Sequence, residues 1–186
     1  LPGRLAWTLA AEGRALALKL RQPCCIDGTL ALRIEPGWKR LRIALPDGSV
    51  GQWPAGWLVG LGTPWNTLQL DGWLRLATRG AAVEAAADRL QVQGHAELAL
   101  DGIGSRLATV APLGSYRVTL EGGAPAALRL TTRAGPLLLD GSGTLDGTRL
   151  HFRGSARAAE GAEAALANLL NLLGRRQGPR ALITIG

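Results

Sequence analysis

The sequence predicts a mainly β protein: a strongly curved antiparallel sheet built from degenerate strand-strand-helix repeats, with short helices and one longer C-terminal helix. Three observations carry this. Apolar residues alternate with polar or small ones along most of the chain, the period of a strand with one buried face. Turn-favouring pairs separate the alternating segments, at Asp27-Gly28, Pro36-Gly37, Asp47-Gly48, Gly122-Gly123 and Asp146-Gly147. Helical spacing is clear only from Gly161 to Leu173.

In chain order, Leu5, Trp7 and Leu9 alternate first, which places Trp7 in the core. Leu16, Leu18 and Leu20 follow, then Leu30, Leu32 and Ile34, then Leu41, Ile43 and Leu45. Ala55 to Leu61 reads as a short helix. Alternation resumes at Leu68, Leu70, Leu74 and Leu76, and again at Leu90, Val92, Ala96, Leu98 and Leu100. Ser105 to Ala111 reads as a second short helix. Strands then carry Tyr116, Val118 and Leu120; Leu128, Leu130 and Thr132; Leu137 and Leu139; and Leu150 and Phe152. Leu is an indifferent strand former, but strict alternation outweighs a weak propensity. The last helix has a stripe of Ala162, Ala165, Leu166, Leu169, Leu170 and Leu173. Its four leucines are expected to be buried, with Asn168 and Asn171 at the flank. Glu160 and Glu163 near its start suit the helix dipole, and Gly174-Arg175-Arg176 at its end suits a left-handed cap.

Gly72, Gly94, Gly141 and Gly154 fall in the apolar phase of their strands. Glycine inside a strand marks a bend, a bulge or a close backbone approach, so the sheet is expected to bend over its apolar face. Each helical segment ends in Leu-Gly, at Leu61-Gly62, Leu113-Gly114 and Leu173-Gly174, and precedes a strand that runs into a Gly. This is read as a degenerate repeat. The three helices are expected to fill the interior of the curved sheet.

The 186 residues are read as one domain, 1–186, and a hydrophobic content of 47% with 19% charged residues excludes a disordered chain. No stretch of about 18 apolar residues occurs, the length a membrane-spanning helix needs. The chain begins at Leu1 without Met, and a membrane anchor is expected to lie outside it. The net charge of +7 comes almost wholly from Arg, scattered singly except at Lys39-Arg40 and Arg175-Arg176. Such scatter describes a solvated face and not a nucleic-acid patch. His95 and His151 have no second ligand at metal spacing, and the serines occupy no nucleophile elbow. No phosphate-binding glycine loop occurs. The expectation is a protein that is not an enzyme and has no catalytic residues, metal or cofactor. Cys24 and Cys25 are adjacent, point to opposite faces if on a strand, and are expected to be structural. The six Trp all lie in the first half of the chain. Trp53, Trp57, Trp65 and Trp73 are the candidates for binding a partner.

The segments WLVGLGTPWNTLQLDGWLRL (57–76), APLGSYRVTLEGG (111–123) and 135–186 carry a resemblance, most distinctively ALANLLNLLGRR followed by the closing ITIG. They resemble the type II secretion system protein N family; the likeness covers most of the chain and is weakest over 1–50. The resemblance implies a non-enzymatic accessory component of that machine. It implies a periplasmic β-rich domain, held at the inner membrane by an N-terminal anchor absent from this chain. Implied partners are other inner-membrane or periplasmic subunits of the secretion machine, with no nucleic acid. A more distant resemblance, at the level of pattern, is to AsmA-like proteins, whose curved sheets hold lipid. It implies the alternative of a periplasmic lipid-binding or lipid-transfer domain.

Overall fold

A computed structural model describes residues 6–21, 29–61, 65–86 and 89–186, and of residues 61, 65 and 66 the backbone alone. The alternating segments form strands β1 (Ala6–Glu12), β2 (Ala15–Arg21), β3 (Leu30–Gly37), β4 (Arg40–Ala44) and β5 (Gly48–Pro54). After a 3-10 turn at Ala55–Leu61 and the one-turn helix α1 (Trp65–Leu68) come β6 (Leu70–Ala86) and β7 (Arg89–Ser105). Then follow β8 (Gly114–Gly123), β9 (Ala126–Ala134), β10 (Leu137–Asp146) and β11 (Arg149–Ala158), helix α2 (Glu163–Leu173), β12 (Arg175–Gln177) and β13 (Arg180–Ile185).

Together they make a 13-stranded antiparallel sheet in the order β1-β2-β3-β4-β6-β7-β8-β9-β10-β11-β13-β12, with β5 paired to β6 off that path. Most strands therefore pair with their neighbours in sequence, as tight hairpins dictate. The 17-residue strands β6 and β7 join the two ends of the sheet. The distal half of β6 pairs with β4 and its proximal half with β5.

Two buried clusters form, both at the later end of the sheet or in its middle. In one, Leu166, Leu169 and Leu170 of α2 pack with Leu68, Leu113, Leu137, Ala156 and Ala181. Leu173, expected to be buried with them, is only half-buried at the edge of the cluster near the helix end; Asn168 and Asn171 are exposed, as the helical stripe predicts. In the other, Ala55, Leu74, Ile103 and Tyr116 meet. The Tyr116 hydroxyl donates to the Leu137 carbonyl at 3.0 Å, and burial pushes its phenol well above the ordinary tyrosine range.

Gly72 and Gly94 sit at breaks in the β6–β7 register, between Asp71 and Trp73 and between Arg79 and Ala82. Both have positive φ, +106° and +74°, and a Cβ on Gly94 would run into the Gly80 carbonyl. They are glycine bulges. Gly141 and Gly154 face each other across β10 and β11 for a different reason: they clear space for the Phe152 ring, whose Cε1 would lie 2.9 Å from a Cβ on Gly154.

Four expectations are corrected. Trp7 is 63% exposed, because β1 is the end strand among the described strands and no layer of the described residues covers it. Ser105 to Ala111 is a turn and not a helix. The Ser105 hydroxyl donates to the Leu68 carbonyl at 2.6 Å, its oxygen also accepts from the Leu107 amide at 3.2 Å, and one turn closes from Ala108 N–H to Ser105 O. A serine side chain that captures nearby backbone in this way competes with helix propagation. Gly174 is extended (φ 176°) and not left-handed; a Cβ there would strike the Leu182 carbonyl, so glycine permits close approach to β13. Finally, the helical segments cover only part of the apolar side: α2 contacts β11, β12 and β13, and the 3-10 segment at Ala55–Leu61 contacts β6, while the rows at the β1 end are left uncovered by them.

Candidate interaction surface

At the β1 end the alternation leaves an apolar face uncovered. Register places Leu9, Leu18 and Leu32 in one cross-strand row and Trp7, Leu20 and Leu30 in another. A third row runs Ala11, Leu16, Ile34, Ile43, Val83 and Val92, crossing from β1 to β7. All of these residues are exposed or half-buried, and none belongs to either buried cluster. Leu9 is 52% exposed and Leu41, at the rim, 40%.

The opposite face of the same strands is polar, and its carboxylates are paired. Glu35 receives Arg33 Nε at 2.8 Å and Arg42 Nη1 at 3.2 Å, and these hydrogen bonds hold its carboxyl below the usual carboxylate range. Arg33 also reaches Glu12 at 3.8 Å, and Arg40 reaches Glu84 at 3.9 Å. Thus the carboxylates of the polar face are all paired, while the apolar face is open. A contiguous exposed apolar patch beyond a few hundred Å² marks a contact surface in a folded protein.

One end of the strands adds positive charge. The hairpin tips there carry Arg14, Lys39, Arg40, Arg89 and Arg149, all exposed, with Trp38 90% exposed at the β3–β4 turn. A cleft of about 460 Å³ lies between the later tips, lined by Arg89, Pro125, Leu145 and Arg149 among others.

The tryptophans singled out in the sequence do not converge on one site. Trp53 is half-buried and packs on the Ala55, Leu74, Ile103 and Tyr116 cluster. Trp57 is half-buried, and Trp73 is 45% exposed on the polar face beside Arg75. The Trp65 side chain lies outside what the structure describes, as do Cys24 and Cys25. The exposed apolar residues Trp7 and Leu9 were missed as surface candidates, since alternation alone assigns them to the buried side; Trp38, in the β3–β4 turn, belongs to no alternating segment. His95 Nδ1 meets Glu121 Oε1 at 2.6 Å, and His151 is exposed. Among the described residues no three His, Cys, Asp or Glu side chains gather as metal ligands would. No helix among them is long and apolar enough to cross a membrane.

A family model described as "Type II secretion system (T2SS), protein N" matches residues 1–183. No curated protein and no solved structure matches the chain.

Proposed function

The chain belongs to the type II secretion system protein N family, and on that premise we propose that it is a non-enzymatic accessory and assembly component of the machine. In this reading residues 1–186 are one periplasmic domain of a bitopic inner-membrane subunit that supports protein export. The uncovered apolar face at the β1 end carries the reading, because an assembly subunit needs contact area. Fully burying one Leu or Ile stabilises by roughly 1.5–3 kcal/mol. The dozen side chains of the three rows are already half-covered, so covering the rest is on the order of 10 kcal/mol gross. Association costs about 4–15 kcal/mol. The balance describes reversible docking within an assembly. Strand β1 has its outer backbone edge free among the described strands, and such an edge accepts a partner's strand. A strand added there would continue the apolar face beyond Trp7 and Leu9. The glycine bulges at Gly72 and Gly94 support a sheet bent over that face, in keeping with the strand-and-helix repeat.

Photo-cross-linking in secreting cells tests this. A photoreactive residue at Trp7 or Leu9 should capture another subunit of the secretion machine, while one at Thr8 on the polar face should not. Absence of any protein adduct from the apolar positions during active secretion would refute the reading.

A second reading rests on the same face together with the cationic hairpin tips. Apolar side chains at the centre and arginines at one end suit an anionic amphiphile, which makes a phospholipid the alternative occupant. Native mass spectrometry of the purified chain separates the two: a phospholipid retained in stoichiometric amount favours the lipid reading, and its absence favours docking.

A further inference from the structure

The polar face of the sheet is neutralised over β6–β8 and left charged over β9–β13. In the first region Arg75 pairs with Asp101 at 2.8 Å, Arg117 lies 3.0 Å from Glu97, and His95 meets Glu121. In the second, Arg129, Arg153, Arg157, Arg175 and Arg180 are all exposed, and none has a carboxylate within ion-pair distance among the described residues.

Register puts these five on one face. Arg117 lies opposite Thr131, two residues from Arg129 on β9. Arg129 lies opposite Ser142, and Ser142 opposite Arg153. Arg157 is directly opposite Arg180, and Arg175 is directly opposite Leu182. Asp140 shares this face through Ser155, whose hydroxyl donates to it at 2.9 Å. Like charges facing each other across paired strands repel, so the Arg157–Arg180 pair opposes folding unless an anion lies over it.

Apolar side chains stand among these arginines. Leu138 is the neighbour of Arg157 on β10, and Leu182, 40% exposed, lies diagonal to it on β13. Arginine interleaved with exposed leucine is the composition of a protein contact; a bilayer surface or a nucleic-acid backbone needs only the charge. We propose that this face docks an acidic segment of a partner polypeptide, its carboxylates on the arginines and an apolar side chain against Leu138 or Leu182. The proposal does not depend on which machine the chain serves.

The probe is a fluorescein-labelled synthetic peptide of Glu, Asp and Leu, about eight residues long, enough to cross five strands spaced about 4.8 Å apart. Its anisotropy with the purified chain should report binding that weakens as salt rises. The variant Arg153→Ser/Arg157→Ser/Arg180→Ser should lose about tenfold or more in affinity. A control with the same charge change at exposed residues off β9–β13, Lys19→Ser/Arg79→Ser/Arg106→Ser, should stay within about twofold. Equal losses in both variants would reduce the effect to net charge and overturn the proposal. So would unaltered binding in the patch variant, or a chain that binds phosphatidylglycerol vesicles and leaves the peptide free. Arg180→Ser alone supplies a readout independent of the triple variant's folding. It removes the facing repulsion, so it should raise the melting temperature while weakening the peptide; a fall in both would assign the arginine to stability alone.

Discussion

Replacing Leu169 with Ala tests whether α2 is the lid of the later half of the sheet. The helix has 11 residues and no side-chain N-cap, so it is marginal in isolation and depends on its apolar stripe. Leu169 is 2% exposed and packs with Leu166 and Leu170 against strands β10, β11 and β13. Truncation to Ala removes three carbons, worth roughly 0.8 kcal/mol each. A residual cavity of about 50 Å³ adds about 1 kcal/mol at roughly 24 cal/mol per Å³. The expected loss is about 3.5 kcal/mol. Leu172→Ala supplies the control: it makes the same chemical change in the same helix at a residue that is 57% exposed, and should cost less than about 0.5 kcal/mol. Urea unfolding followed by far-ultraviolet circular dichroism reads both as midpoint shifts with unchanged slope. A loss under about 1 kcal/mol for Leu169→Ala, or equal losses for the two variants, would mean that α2 does not pack on the sheet as described.

Tyr116 is the only tyrosine in the chain, so its titration can be followed directly in absorbance. Because burial raises its folded pKa above the unfolded value of about 10, its contribution is complete below pH 10 and is lost as pH rises further. Phenolate absorbance should therefore appear only with unfolding, and a reversible titration near 10 in the folded chain would contradict its burial. Glu35 works in the opposite sense. Its folded pKa is depressed by Arg33 and Arg42, so its contribution is present above the model-peptide value of 4.5 and disappears as pH falls through the lower, folded value. Glu35→Gln should remove that acid limb of the stability profile, and a profile identical to the parent's would refute the linkage. Leu9→Ser should change stability by less than about 0.5 kcal/mol, because Leu9 is 52% exposed, yet should lower the binding of the hydrophobic dye ANS; a large loss of stability would show that the face is covered.

Alternation made the strands legible residue by residue, and the helical stripe made α2 legible down to its flanking asparagines. These signals are local: one face of an element differs from the other within a few residues. Whether a second layer lies over that face is not local, which is why Trp7 reads as core and is found on an uncovered end strand. Glycine announces a special backbone position without naming its kind. Gly94 is a bulge, Gly154 makes room for the Phe152 ring, and Gly174 admits the Leu182 carbonyl. The 105–111 segment misleads because its helical spacing yields to one long-range bond, from Ser105 to the Leu68 carbonyl 37 residues away. The arginines show the same limit. In sequence they are scattered singly, and only the register of β9 through β13 brings five of them to one face.

The two ends of the sheet are unsatisfied in opposite ways. At the β1 end Glu35, Glu12 and Glu84 are all ion-paired on the polar side, and the apolar side is open. At the β12 end α2 covers the apolar side, and on the polar side five arginines have no ion-paired carboxylate among the described residues. Each end therefore asks for a different partner chemistry, one apolar and one acidic, and neither contact would block the other. The long strands β6 and β7 lie between the two surfaces and belong to both halves, through β4 on one side and β8 on the other. The apolar docking proposed for the family role and the acidic docking inferred from the arginine face are thus compatible in a single molecule. A chain so arranged would hold two components at once, with β6 and β7 as the strands that link them.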